Sequence, residues 1–179
     1  MIIPLLIALP NIMLFPPMSR WHILGISANH LRELVIRPTL RQINLWSEAA
    51  ENLLMGTAAQ ESLMGRWLKQ VNGPALGIFQ MEPATHEDLY DNYLFYHADL
   101  EDAMHGLLAP RLPMVDQLVW NLAYAAACCR LQYYRFPEPL PAAHDIDGLA
   151  LYWKTRWNTS KGKGTVEEFV KNYTALVVG

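Results

Sequence analysis

The stretch GTAAQESLMGRWLKQVNGPALGIFQMEPAT, residues 56–85, holds the pattern that decides the fold. It places the pair Glu61-Ser62 at the end of an Ala-rich helical run. The turn signal Asn72-Gly73-Pro74 follows, and after it comes a short apolar segment, residues 75–81. Pro83 then fits the first turn of another helix. The stretch therefore predicts a helix, a crossing segment bounded by turns (a strand or an irregular segment), and a second helix.

This arrangement resembles the lysozyme-like lytic transglycosylases, whose core carries a Glu-Ser pair, a Gly-x-x-Gln segment and a Pro-x-Thr helix start. The matching residues are Glu61-Ser62, Gly77 to Gln80, and Pro83 to Thr85, and the likeness covers about residues 47–93. That family cuts the glycan strands of the bacterial cell wall with a single acid/base carboxylate. The resemblance implies a mainly α, lysozyme-like fold with a small or vestigial β element beside the cleft.

The composition is that of one compact domain. The chain has 179 residues, of which 52% are hydrophobic and 17% charged, and this balance excludes a disordered chain. The net charge is -3 and the isoelectric point is about 6.0, so no basic field suggests nucleic acid as a partner.

The first residues differ from the rest of the chain. Residues 1–17 form an almost wholly apolar arm that lacks a basic start and contains prolines. The arm could be a signal-like segment, a membrane-touching segment or a tail packed on the domain, and Met18 could be the true start. We expect residues 18–179 to form the transglycosylase-like domain.

Helical patterns account for most of the remaining chain. Ser47 is a good N-cap, and Thr165 opens a T-x-x-E capping box. Besides the helix that begins at Pro83 and runs to about Tyr93, helices are predicted over residues 29–36, from Pro38 onward, and over 48–59, 114–134, 147–157 and 166–176.

Cys128 and Cys129 are neighbours within the helical run 114–134. Adjacent side chains on a helix point about 100° apart, so we expect two unlinked buried thiols. No Cys-x-x-Cys or His-x-x-x-His pattern accompanies them, and no metal or cofactor is implied.

Glu61 is the predicted catalytic residue. Cleavage of a glycosidic bond needs a carboxylic acid that protonates the leaving oxygen, and this acid must remain protonated near neutral pH. The resemblance implies that Ser62, Gly77 and Gln80 contact the sugar. Ser62 could instead cap the end of its helix, and Gly77 could instead permit a close backbone approach or form a turn. The amide of Gln80 both donates and accepts hydrogen bonds, as an N-acetyl sugar requires, but it could equally tie the loop backbone to the helix start.

Related enzymes place a tyrosine from a later helix opposite the catalytic glutamate. Tyr124 and Tyr133 are the two candidates for that role. For Tyr133, Trp153 and Trp157, however, a core position is favoured over contact with a sugar. Acidic residues after Pro83 offer further carboxylates but are expected on a solvated helix face: Glu87, Asp88 and Asp91. The resemblance implies that no second carboxylate is needed, since the substrate itself can supply the nucleophile.

These features predict a peptidoglycan-cleaving lytic transglycosylase, of the kind that opens the wall locally as part of a phage virion. The expected location is the virion or the bacterial periplasm and cell wall. Other virion proteins are candidate partners beside the glycan strands. Three alternatives stay open: a hydrolytic muramidase or chitinase-like endolysin, a non-catalytic virion structural protein, and a glycan-binding module.

Overall fold

The structure, a computed structural model, describes residues 25–159 and 162–179 and is mainly helical. The apolar arm, residues 1–17, lies outside the described residues. The α-helices are α1 (Ala28–His30), α2 (Arg37–Gln42), α3 (Glu48–Ser62), α4 (Pro83–Asn92), α5 (Ala98–His105), α6 (Gln117–Trp120), α7 (Leu122–Tyr134), α8 (Ile146–Trp153) and α9 (Val166–Tyr173). Wider π-helical turns span Leu31–Ile36, Lys154–Asn158 and Thr174–Val178, and a 3-10 turn spans Leu94–Tyr96.

Helix α3 is the central element. Its N-cap is Ser47, as predicted, and the Ser47 hydroxyl accepts a hydrogen bond from the backbone N–H of Ala50. Helix α9 packs across α3, and a Cβ at Gly56 would collide with the ring of Phe169. This close approach holds the C-terminal half of α3, and with it Glu61, against the rest of the domain.

The crossing segment is largely irregular. Two isolated antiparallel bridges, Lys69 with Leu76 and Leu76 with Met81, are the β structure found within the described residues. Gly77 has a φ of +74°, and a Cβ there would collide with the carbonyl oxygen of Leu118. The segment therefore lies so close to the end of α6 that a glycine is required.

One helix prediction is wrong, and one helix of the structure was not predicted. The helix predicted over 114–134 is broken at Asn121, whose side-chain oxygen accepts a hydrogen bond from the N–H of Tyr124 and starts α7 afresh. The short helix predicted to begin at Pro38 is present as α2, with Pro38 in its first turn, and it follows the preceding π turn without a break. Helix α5 is present although the sequence pattern did not predict it.

Two local sequence predictions are confirmed. Cys128 and Cys129 are both buried and unlinked, as expected. The Thr165 capping box is present at the start of α9, with Glu168 as its second member. Across the described residues, no helix combines the length and apolar composition needed to cross a bilayer.

Candidate active site

Glu61 lies in the last turn of α3, one residue before the helix ends at Ser62. Leu63 follows in the left-handed conformation with a φ of 50°, which turns the chain away and leaves the end of the helix open. The side chain of Glu61 reaches a large cavity and accepts a hydrogen bond of 2.8 Å at Oε1 from the indole Nε1–H of Trp153.

Two opposing effects set the acidity of Glu61. Burial disfavours the ionised carboxylate and raises its pKa, whereas the hydrogen bond from Trp153 favours the carboxylate and lowers the pKa. Burial is the larger effect, and the pKa rises to about 7. Glu61 is therefore a carboxyl group that exchanges its proton near neutral pH, which is the property required of a general acid.

The cavity beside Glu61 has a volume of about 620 Å³, enough for a sugar-sized ligand. Its lining is mostly polar, with Trp153 and Trp157 as its aromatic members. The principal polar residues around it are Gln60, Glu61, Gln70, Gln80, Glu82, Thr85, Gln132, Arg156, Asn158 and Lys163. The lining residues come from helices α3, α4, α7 and α8, from the crossing segment and from the loop before α9.

Gln80 lines the same cavity as Glu61. Its side-chain nitrogen donates to the carbonyl oxygens of Gly77 (2.7 Å) and Trp67 (3.2 Å). Within residues 25–159 and 162–179, no donor reaches its side-chain oxygen. The nitrogen of Gln80 therefore ties the loop backbone, as one of its two predicted roles describes, and its contact with a sugar stays a prediction.

Ser62 and Gly77 do not line the cavity. The Ser62 hydroxyl is fully buried, donates to the carbonyl oxygen of Ile78 (2.6 Å) and accepts from the N–H of Gly65 (2.8 Å). Ser62 thus joins the end of α3 to the crossing segment, and Gly77 fits that segment against α6. These contacts position Glu61 and Gln80, so the prediction that Ser62 and Gly77 contact the sugar directly needs correction.

Tyr124 and Tyr133 also lie outside the cavity lining, since both side chains are buried in the core. The Tyr124 hydroxyl is hydrogen-bonded to His86 (2.6 Å) and to Tyr90 (3.0 Å). The Tyr133 hydroxyl is hydrogen-bonded to Thr57 at 2.8 Å. Burial raises the pKa of Tyr133, and the charge of Glu61 adds to the rise. Tyr133 is therefore a buried neighbour behind Glu61 rather than a residue facing it across the cavity.

The second carboxylate of the cavity is Glu82, immediately before α4. Of the three acidic residues predicted to lie on a solvated face of the helix after Pro83, Glu87 and Asp91 are exposed on α4, as expected. Asp88 forms an ion pair with Arg135. None of these three lines the cavity.

The cationic members of the lining are Arg156 and Lys163. Arg156 forms an ion pair of 2.7 Å with Glu138. Lys163 is exposed and forms no ion pair within the part of the chain that the structure describes. The cavity thus combines a proton donor, amide groups and positive charge.

The contact between Trp153 and Glu61 is the feature of the candidate site that sequence reasoning missed, because the sequence placed Trp153 in the core. Trp153 is indeed fully buried, but its indole N–H lies against a carboxylate 92 residues away in the chain. No local pattern reports such a contact. A buried tryptophan needs a partner for its N–H, and that general requirement is the signal that could have prompted a search.

Within the described residues, no group of three His, Cys, Asp or Glu side chains could hold a metal ion. Comparison of the chain with protein-family models, with curated proteins and with solved structures finds no match.

Proposed function

We propose that the protein is a peptidoglycan-cleaving glycosidase, a lytic transglycosylase with a lysozyme-like fold, and that Glu61 is its general acid and base. The observation that carries the proposal is a single carboxyl group with a pKa of about 7, held by Trp153 at the wall of a sugar-sized cavity. A carboxyl group raised to this range donates a proton at neutral pH and can take one back later in the reaction.

The reaction then proceeds in two proton transfers. Glu61 protonates the oxygen of the glycosidic bond as that bond breaks, and the resulting carboxylate is stabilised by the N–H of Trp153. Glu61 next removes a proton from a hydroxyl group of the same sugar, which closes an anhydro ring. Since Trp153 contacts Oε1, the second carboxyl oxygen, Oε2, is the atom that faces the substrate.

The other lining residues favour a charged glycan as the substrate. Gln80 offers an amide oxygen to the N–H of an acetamido group, and Trp157 offers an apolar ring face. Lys163, and Arg156 beside its ion pair with Glu138, favour carboxylates, which the peptide stems of peptidoglycan carry and chitin lacks. A phage virion enzyme that opens the wall locally would act on this polymer.

A hydrolytic muramidase is the second candidate function, because Glu82 lies on the same cavity. A second carboxylate can activate a water molecule or attack the sugar directly, as in two-carboxylate glycosidases. In that case Glu82→Gln abolishes cleavage. If Glu61 acts alone, Glu82→Gln retains most activity, and Glu87→Gln is the matched control on the exposed face of α4.

The test of the proposal is digestion of purified peptidoglycan followed by mass analysis of the soluble products. Products one water lighter than the hydrolytic ones establish a transglycosylase, whereas products of full mass establish a hydrolase. Binding of folded protein without any soluble product would support a glycan-binding module instead. Neither binding nor product would support a virion structural protein.

A further inference from the structure

A second concave surface, which the proposed chemistry does not use, lies between the 3-10 turn and the end of α7. It has a volume of about 790 Å³ and is lined by aromatic rings. We call it the aromatic groove and define it by Tyr93, Tyr96, Tyr134 and Phe136.

The aromatic groove has the chemistry of a sugar-binding surface. Ring faces pack against the C–H faces of a sugar, and the three tyrosine hydroxyls of the groove can both donate and accept hydrogen bonds. Tyr96 and Tyr134 are 72% and 44% exposed. The guanidinium of Arg130 lies 4.9 Å from the ring centre of Tyr134, so the opposite face of that ring is the one a sugar would contact. A surface of this kind suits a polymer of hydroxylated rings better than a wholly apolar partner.

Two arginines connect the groove with the cavity of Glu61. Arg156 lines the cavity, and its guanidinium lies 4.7 Å from the ring centre of Phe136, which lines the groove. Arg135 approaches Gln132, another lining residue, at 3.4 Å, and lies 5.9 Å from the ring centre of Tyr93. Residues that line the cavity are therefore in contact, directly or through Arg135, with residues that line the groove.

We infer that the aromatic groove is a distal binding site for the same glycan strand that occupies the cavity. This inference rests on the proposed function, and it names the occupant as a strand long enough to leave the cavity past Arg156 and Arg135. The groove would hold the enzyme on the insoluble polymer while Glu61 acts on one bond.

The test is binding to purified, insoluble peptidoglycan in the Glu61→Gln background, where no cleavage interferes. We expect Tyr96→Ala with Tyr134→Ala to weaken binding by about tenfold, a change that corresponds to ~1.4 kcal/mol. Tyr96→Phe with Tyr134→Phe keeps both rings and should retain most of the binding. Trp120→Ala, a half-exposed tryptophan that lines neither surface, is the control and should bind like the parent.

Equal binding by the double alanine variant and the parent would overturn the inference, as would an equal loss in the double phenylalanine variant. If the double alanine variant fails to fold, Tyr96→Ala alone decides the matter, because that exposed ring contributes little to the core. Tighter binding of a soluble proline-rich peptide than of peptidoglycan at the aromatic groove would also overturn the inference.

Cleavage by protein with Glu61 intact separates this inference from the proposed function. We expect the double alanine variant to lose more activity on insoluble peptidoglycan than on a soluble tetrasaccharide fragment of it. An equal loss of activity on both substrates would overturn the inference about the groove without affecting the proposed function. If the parent protein cleaves neither substrate but binds peptidoglycan more tightly than the double alanine variant does, the inference about the groove is supported and the proposed function is overturned.

Discussion

At the residue scale, the proton of Glu61 is governed by one neighbour and by the depth of its site. Burial raises the pKa of Glu61, and the Trp153 N–H limits the rise. The same indole is held by packing on Phe169, with ring centres 5.3 Å apart. The acid is thus oriented by a side chain that is itself fixed in the core.

Trp153→Phe should therefore raise the pKa of Glu61 further, because the ionised carboxylate loses its donor. A hydrogen bond to a charged group contributes ~1.5–3 kcal/mol, so the shift should be about 1 unit or more. The alkaline limb of the pH–rate profile is the measurement, and it should move upward while the maximal rate falls. An unmoved limb in a folded variant would mean that Trp153 does not tune this acid.

Gly164→Ala should also lower activity, because the loop before α9 lies directly against the site. A Cβ at Gly164 would lie 2.7 Å from Cη2 of Trp153 and 3.2 Å from the side-chain nitrogen of Gln60. We expect a several-fold loss of cleavage. Gly106→Ala is the matched control, since its Cβ would meet nothing closer than 3.4 Å. Equal activity of Gly164→Ala and Gly106→Ala would show that the contacts of the loop before α9 with Trp153 and Gln60 do not matter for cleavage.

At the scale of the elements, α9 supports the site from a distance, and its start depends on the Thr165 capping box. Thr165→Ala should lower the free energy of unfolding by about 1 kcal/mol. Denaturant unfolding is the measurement. Thr155→Ala is the control, because the Thr155 hydroxyl bonds only carbonyls of its own helical turn. A loss in both variants alike would show that the box contributes nothing specific.

Elements whose ends carry local signals could be predicted from the sequence. Ser47 and Thr165 each cap a helix where expected, because each side chain accepts a hydrogen bond from the backbone N–H three residues later. Pro83 lies in the first turn of α4, where a missing N–H leaves no helical hydrogen bond unmade. The break at Asn121 could not be predicted from periodicity, since the apolar pattern continues across it. Its side-chain nitrogen donates to the carbonyl of Leu107, a tertiary contact that the pattern does not report.

The residues of the candidate site also include some that could be predicted from the sequence and some that could not. The resemblance implied that Glu61 and Gln80 belong to one site, and the structure brings both to the lining of one cavity. The contribution of Trp153 arises from tertiary packing across 92 residues and has no local signature. The buried tyrosines were misplaced, because periodicity indicates which helix face is buried but not which side chain reaches a cavity.

At the scale of the whole molecule, two buried glutamates give stability opposite dependences on pH. The folded-state pKa of Glu61 is raised from 4.5 to about 7, so the unfolded chain loses this proton first. Stability therefore falls as pH rises from 4.5 to 7, by up to ~3 kcal/mol, and stays lower above that range.

Glu51 gives the free energy of unfolding the opposite dependence on pH. Burial would raise its pKa, but hydrogen bonds from Arg37, Trp46 and Arg32 together lower it to about 2.

Glu61→Gln should therefore be more stable than the parent at pH 8, and the difference should disappear below about pH 4.5. The contribution of Glu51 is present above pH 4.5 and is lost as pH falls toward 2, in both proteins alike. Melting temperatures at several pH values measure the difference. A constant difference across this range would show that Glu61 does not titrate near pH 7.

The central claim is that Glu61 is the catalytic acid of a wall-cleaving glycosidase. The most direct measurement is the rate at which Glu61→Gln releases soluble products from purified peptidoglycan, with its melting recorded in parallel and Glu87→Gln as the control. We predict a folded Glu61→Gln protein with a rate lowered by ~10²–10⁴-fold, because the transferable proton is gone. A folded Glu61→Gln protein that clears peptidoglycan at the parental rate would contradict the account.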